Sequence, residues 1–350
     1  MKRILFSFFS VLALILSSCS SDYLILDSIE PHILTADFSS REIGNPITFT
    51  VRDKDGEDVT SLATIFIDGN AIEGYTFTSQ TVGSFEVTAE YLGVLSDDVT
   101  VYFHDGSEIN FKKRLLIEDY TGTWCGYCPR VAHAIELVKE QTENFVTVAI
   151  HRSSLNPASA NYDPYTYDSS ELENLLGAAG YPKGYLNRFT KWRALETNNI
   201  AQAVNLTQGE NPKLGLALSS TVNNGNINID VKVKFGKDFS GLKLVVYVLE
   251  NGLIHEQHNY TTYYGGADIL EDFEHNHVLR ECITPLLGEN IETSQTYLAN
   301  VYTKSFNVTV PATVENAANI EFVAFVTDEN GNSLNVRSAL PGVVQEFEEL

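Results

Sequence analysis

Apolar and polar positions alternate in short runs over the first third of the chain. Ile47, Phe49 and Val51 point one way and Thr48 and Thr50 the other, and a turn follows at Asp55-Gly56. Ile65 to Ile67 lead into Asp68-Gly69-Asn70, and Phe85, Val87, Ala89 and then Val99, Val101, Phe103 repeat the period of two. Between residues 110 and 209 the pattern changes. Leu115, Leu116 and Ile117 form an apolar run, Val131, Ala134, Ile135 and Val138 recur at helical spacing, and Phe145 to Ile150 are nearly continuous. Such a run suits a strand covered on both faces. A helix is expected over Ser169 to Ala179, a strand over Gly184 to Phe189 and a short helix over Asn198 to Leu206. From Pro212 onward alternation returns, most clearly at Ile227, Ile229, Val231, Val233 and Phe235, with a hairpin signal at Asn330-Gly331.

Four segments follow from this pattern: a leader, 1–18; an anchor and β domain, 19–106; an α/β domain, 107–209; and a β-sandwich, 210–350. The second segment reads as a small immunoglobulin-like sandwich, a spacer or docking module. The leader has Lys2 and Arg3 before an apolar Ile4 to Leu16 stretch that is too short to span a bilayer. Leu16-Ser17-Ser18-Cys19 resembles a bacterial lipobox, which makes Cys19 the lipidated first residue of the mature chain. Ser20 then favours the outer membrane. The formal charge of −23 over 350 residues argues against nucleic-acid binding, which needs Lys and Arg to displace counterions. With 43% hydrophobic residues, packed cores are within reach. The single Met is the initiator, which suits an oxidising compartment.

The chemistry concentrates at Thr121-Gly122-Thr123-Trp124-Cys125-Gly126-Tyr127-Cys128-Pro129. A thiol at the start of a helix faces unpaired backbone N–H groups and the positive end of the helix dipole, and both favour thiolate. Cys125 is then the attacking nucleophile and Cys128, one turn on, the resolving thiol. Two alternatives stand beside this. A structural zinc site needs two further Cys or His ligands, and no second C-x-x-C exists. A structural disulfide closing so small a loop removes little entropy from the unfolded chain. Trp124 and Tyr127 would shape the rim.

The Trp-Cys-Gly-Tyr-Cys-Pro stretch after an apolar strand resembles the thioredoxin superfamily. That resemblance implies a buried carboxylate at Asp119, able to move a proton to or from the resolving thiol. It also implies a cis-proline beside the cysteines at Pro182, with the Tyr181 carbonyl pairing to a substrate backbone. The expected fold is therefore multidomain α+β: an immunoglobulin-like sandwich, a central thioredoxin-like α/β domain and a C-terminal β-sandwich. The lipobox, Thr121 to Arg130 and His275-Asn276-His277-Val278-Leu279-Arg280, in this order, are similar to the outer-membrane-protein-twenty-eight-related lipoproteins of Bacteroidetes. The likeness covers Asn110 to the end well and the first sandwich poorly.

His275 and His277 would share a face if they lay on one strand, the arrangement of a metal pair, yet no third ligand is fixed by spacing. No metal and no cofactor is expected. Cys282 is the odd thiol, read as buried and inert. The functional expectation is an outer-membrane lipoprotein, on the periplasmic or outer face, that exchanges disulfides with exported proteins. The alternative is a surface lipoprotein for binding or adhesion, with the Cys-containing domain as scaffold.

Overall fold

The computed structural model describes residues 32–177 and 180–350. The leader and Cys19 lie outside the described residues. The first unit contains β1 (Ile33–Ala36), β2 (Ser40–Glu42), β3 (Ile47–Arg52), β4 (Thr64–Ile67), β5 (Asn70–Ala71), β6 (Thr76–Phe77), β7 (Gly83–Tyr91), β8 (Val94–Leu95) and β9 (Val99–His104). They form two sheets, ordered β1-β3-β6 and β2-β9-β7-β4-β5 with β8 beside β7. The alternation read from the sequence is why they pack. Ile47, Phe49, Val51, Ile65, Val87, Val101 and Phe103 all point into one core between the sheets.

The middle of the chain supplies β10 (Leu115–Thr121), α1 (Pro129–Lys139), β11 (Phe145–His151), α2 (Ser170–Leu176), β12 (Lys183–Leu186), β13 (Thr190–Lys191) and α3 (Ile200–Leu206). The remainder is β14 (Leu214–Asn223), β15 (Asn226–Phe235), β16 (Lys243–Glu250), β17 (Leu253–His258), β18 (Ile269–His275), β19 (Val278–Cys282), β20 (Glu289–Asn290), β21 (Val301–Thr309), β22 (Ile320–Thr327) and β23 (Ser333–Ala339).

The expected central thioredoxin-like α/β domain is not what these elements build. Strands β10 to β13 are part of a nine-stranded sheet, ordered β13-β12-β10-β11-β19-β16-β22-β23 with β20 beside β16. Five of its nine strands come from the C-terminal segment, and the described residues contain only three α-helices. The run Phe145 to Ile150 is buried on both faces: α2 contributes Leu172 to one of them, and α1 and α3 cover the other. On that side Leu115 and Ile117 pack with Ala134 and Val138 of α1 and Ala203 and Val204 of α3. On the other, Leu116, Val146, Val148 and Ile150 meet Val245, Tyr247, Leu249, Val323 and Phe325 across the inside of the curled sheet. The curl returns β23 to the start of β10. Arg114 N–H donates to Asn335 Oδ1 at 3.0 Å, and Ser333 N–H donates to Asn187 O at 3.1 Å.

The C-terminal sandwich therefore borrows its second layer. The sheet β14-β15-β21 lays Leu216, Ile229, Val231 and Val233 onto Leu244, Val246, Phe322 and Ala324 of the nine-stranded sheet. The first unit docks against this end, where Ser39 N–H and Ser40 Oγ donate to Tyr297 Oη and Leu298 O. No helix among the described residues is long and apolar enough to cross a membrane.

Candidate functional site: a capped disulfide and the cleft beneath it

Strand β10 ends at Thr121 and α1 begins at Pro129, whose fixed φ and missing N–H suit the first helical position. Cys125 lies in the turn that precedes the helix, and Cys128 is the residue at the helix boundary. Cys128 N–H donates to Cys125 O at 3.0 Å, and the two sulfurs form a disulfide. Both are buried, Cys125 at 5% exposure and Cys128 at 1%.

What buries Cys125 comes from far along the chain. Strands β17 and β18 form a two-stranded hairpin, and its connecting segment lies over the cysteine turn as a strap. His258 N–H donates to Thr123 O at 2.8 Å and Tyr260 N–H to Gly126 O at 2.6 Å. Gln257 Nε2 donates to Gly122 O and to Cys125 O, both at 3.2 Å. The Tyr260 ring rests on Gly126 so closely that a Cβ there would come within 2.3 Å of it. Glycine at 126 is thus a packing requirement of the strap. Tyr260 also meets Tyr127 edge to face at 5.6 Å between centroids.

The other predicted site residues gather around the same turn. Tyr127 is exposed, and Trp124 is half-buried with its Nε1–H donated to Arg152 O at 3.1 Å. Tyr181 lies 5.8 Å from the Trp124 ring, and its hydroxyl donates to Glu173. The Tyr181–Pro182 peptide bond is cis. Asp119 is buried beside Glu196 and Arg130, which pair with each other through Nε at 2.6 Å. Burial pushes the Asp119 carboxyl well above its usual range, the nearby Glu196 adds to this, and Arg130 opposes it. Asp119 Oδ1 has no hydrogen-bond partner.

Beneath the turn lies a cleft of about 530 Å³. It opens where β11 and β19, paired at Ala149↔Val278, draw apart. One wall is α1, from Cys128 to Lys139. The opposite wall is the hairpin, from Phe273 to His277, and Asp119, Thr121, Thr147 and His151 line its floor. His275 and His277 do not share a strand face. His277 sits at φ 57° in the turn after β18, and its imidazole pairs with Glu321 at 2.8 Å. His275 is buried with its ring 5.2 Å from that of His151, and burial lowers its pKa to about 3, so it is neutral. Among the described residues no group of three or more His, Cys, Asp or Glu is placed to hold a metal. Cys282 carries a free thiol, which burial pushes up to about 11.

His151 and Asp163 are the buried pair that sequence reasoning missed. His151 Nδ1 and Asp163 Oδ2 are 2.9 Å apart, and the same oxygen accepts the Thr123 N–H. Burial raises the Asp163 carboxyl, but His151 and these N–H donors bring it below its usual range. The pair anchors the loop after β11 to the cysteine turn. Gln257 and Tyr260 were also missed. Only the Tyr-rich run Tyr260 to Tyr264 hinted at a packing surface there.

Fold and site together define a β-rich protein whose long curled sheet carries a capped C-x-x-C disulfide above an open cleft. Residues 169–345 match the family model described as Outer membrane protein Omp28, and the chain belongs to that family. Membership places it in the outer membrane, the location expected from the lipobox and Ser20. Among solved structures it is similar to HBP35 of Porphyromonas gingivalis, with 19% identity and a TM-score of 0.48 over 67% of this chain and 79% of that one. A domain of the outer membrane lipoprotein Omp28 from Porphyromonas gingivalis is also similar, at 19% identity and a TM-score of 0.26 over 38% of this chain and 92% of that one. No curated protein matches the sequence.

Proposed function

We propose that the protein is a lipid-anchored binding protein of the outer membrane in which the Cys125–Cys128 disulfide is a built-in clasp. A diacyl modification of Cys19 supplies the anchor, and the β units hold the cleft away from the bilayer. The observation that carries this reading is the strap. Exchange requires a thiolate to approach one sulfur of the disulfide, and here Cys125 keeps 5% of its exposure. The Thr123 and Gly126 carbonyls flanking Cys125 are already bonded to His258 and Tyr260. The test is insulin reduction by the full chain in the presence of dithiothreitol. The reading predicts a rate no faster than dithiothreitol alone. Turnover several-fold above that background, lost in Cys125→Ser, would overturn it.

A second reading keeps thiol–disulfide exchange with exported proteins, and one observation favours it. Burial raises the Asp119 carboxyl, and Asp119 lines the same cleft as Cys128, so it could protonate Cys128 as that sulfur leaves. On this reading the strap swings away. A thiolate of a partner dithiol attacks Cys125, the Cys125–Cys128 bond breaks and Cys128 leaves with the Asp119 proton, and the partner's second thiolate then displaces Cys125, so that the partner gains the disulfide and this pair becomes the dithiol. Trp124, Tyr127, Tyr181 and Pro182 would border the partner. A mixed disulfide trapped by Cys128→Ser on an exported protein is the expected signature.

A further inference from the structure

The cleft beneath the cysteine turn is a gap in the sheet, and it leaves part of one strand edge open. In a parallel ladder the backbone groups of alternate residues face the same neighbour. Leu115 N–H donates to Asn144 O and Arg152 N–H to Thr121 O, which turns Val146, Val148 and Ile150 of β11 toward β10. Phe145, Thr147 and Ala149 therefore turn their N–H and C=O groups the other way. Ala149 meets β19 on that side, its N–H donated to His277 O at 2.8 Å, and Ala149↔Val278 is the one register pair of these strands. Before Val278 the chain runs off as β18, so no strand lies beside Phe145 and Thr147. Their outward N–H and C=O groups have no partner among the described residues, and both residues line the cleft. These groups repeat about 6.6 Å apart along the strand, an unfinished ladder that serves as a template for another extended chain. Ala132, Ile135 and Phe273 form apolar walls around it. At the rim, exposed Glu136, Glu143 and Glu274 outnumber the ammonium of Lys139. Deeper in, Glu321 pairs with His277, His151 pairs with Asp163, and His275 is neutral.

We infer that the cleft takes an extended segment of an exported polypeptide as an added strand on β11, its backbone pairing with Phe145 and Thr147. Its apolar side chains lie toward Ile135 and Phe273, and a flanking Lys or Arg lies toward the rim carboxylates. The open ladder calls for a polypeptide, because a donor and an acceptor must recur at the strand repeat, and the main chain of any extended peptide supplies both. Preference among peptides then comes from the walls and the rim. Successive side chains of a strand point to opposite faces, so every second residue of the ligand meets the apolar walls. The excess of carboxylates at the rim favours a basic flank, by an attraction that salt weakens. The chain's own segment 20–31 holds Asp22, Asp27 and Glu30 and no Lys or Arg, so its charge does not complement the rim. This ligand class belongs to the binding reading above and rests on it.

The test is calorimetric titration of the full chain in detergent with the peptide acetyl-Lys-Val-Thr-Val-Thr-Val-Lys-amide. Three further peptides are compared with it: one N-methylated on its Val residues, one N-methylated on its Thr residues, and one with Glu in place of both Lys. The parent peptide should saturate. At least one N-methylated peptide should bind tenfold or more weaker, because methylation removes the donors of one strand edge, and at low salt the Glu peptide should also bind tenfold or more weaker. Hydrogen–deuterium exchange at the Thr147 amide should slow tenfold or more when the parent peptide is bound. Thr147→Pro removes the donor that faces the cleft and none that faces β10, and it should weaken the parent peptide tenfold or more while the near-ultraviolet circular dichroism stays native. The peptide comparisons need no variant, so they stand even if the substitution disturbs folding. No saturation, both N-methylated peptides at parent affinity, a Glu peptide as tight as the parent, or unchanged Thr147 exchange would overturn the inference. A Thr147 amide already protected in the free chain would overturn it as well, by placing segment 20–31 or a second copy on the edge. A Cys125→Ser/Cys128→Ser chain should still bind the parent peptide. Insulin turnover is a separate readout, so the ligand class and the clasp can fail independently.

Discussion

The first β unit and the nine-stranded sheet are built from the same short alternating strands, yet they bury different things. In the first unit the buried polar side chains are His32, Ser40 and Ser79, around an otherwise apolar core. The nine-stranded region buries Glu118, Asp119, His151, Asp163, Arg188, Glu196, Glu250, His275 and Arg280. Apolar burial alone, at about 25 cal/mol per Å², is enough to hold a spacer. Burying charge is expensive unless each group is paired, so a region that does it repeatedly is organised for more than stability. Most of these groups are paired: Arg130 with Glu196, Arg280 with Glu250, and His151 with Asp163. Among them Glu118 Oε2, Asp119 Oδ1, Arg188 Nε, His275 Nε2 and Arg280 Nε have no hydrogen-bond partner.

The comparison is broken most severely by removing one member of a buried pair. Arg280 Nε lies 3.3 Å from Glu250, which also accepts the Glu315 and Asn316 N–H groups. Arg280→Leu should cost about 3–5 kcal/mol, because it leaves a buried carboxylate without its counter-charge. Denaturant unfolding should show this loss in the transition of the nine-stranded region. If the loss is under about 1 kcal/mol, the paired-charge account of this region is wrong.

Asp119 gives the opposite sign. Its folded pKa is raised, so the native state keeps a proton that the unfolded chain gives up above about 3.9. Its contribution to stability is full below that value and is lost as pH rises through the folded pKa. Asp119→Asn should therefore raise the melting temperature at pH 7 to 8, with the gain shrinking toward pH 4. A variant less stable than the parent at pH 8 would contradict this. The smallest expected effect is in the first unit. Ile47→Val removes one methylene from a core with no ionic partners nearby and should cost about 1 kcal/mol.

Local features were legible in the sequence. Alternation from Ile227 to Phe235 marked β15, observed as Asn226–Phe235, and the apolar run Phe145 to Ile150 marked β11, observed as Phe145–His151. The spacing of Val131, Ala134, Ile135 and Val138 marked α1, but its start was read at Cys125, whereas the helix begins at Pro129 and leaves Cys125 in the turn before it. The sheet's extent was not legible, because it depends on β11 meeting β19 at Ala149↔Val278, a pairing between distant segments that no local period encodes. A strand buried on both faces looks the same whether helices or the rest of a curled sheet cover it. For this reason the central segment read as a separate α/β domain. The strap escaped notice for a related reason. Gln257 acts through one side-chain amide, and Tyr260 through its backbone N–H and a ring fitted to Gly126. None of these has a sequence signature. The His275–His277 pair misled because alternation assumes a strand, whereas His277 occupies a turn at positive φ.

The central claim is that the strap keeps the cysteine turn closed to other proteins. It is tested most directly by the maleimide-labelling rate of Cys125 in the reduced full chain, carried in a Cys282→Ser, Cys128→Ser background. With the strap in place, labelling should be at least tenfold slower than for a free thiol of the same pKa, and Tyr260→Gly should restore most of the difference. Labelling at the free-thiol rate with Tyr260 present would contradict the account and return Cys125 to the role of an exposed nucleophile.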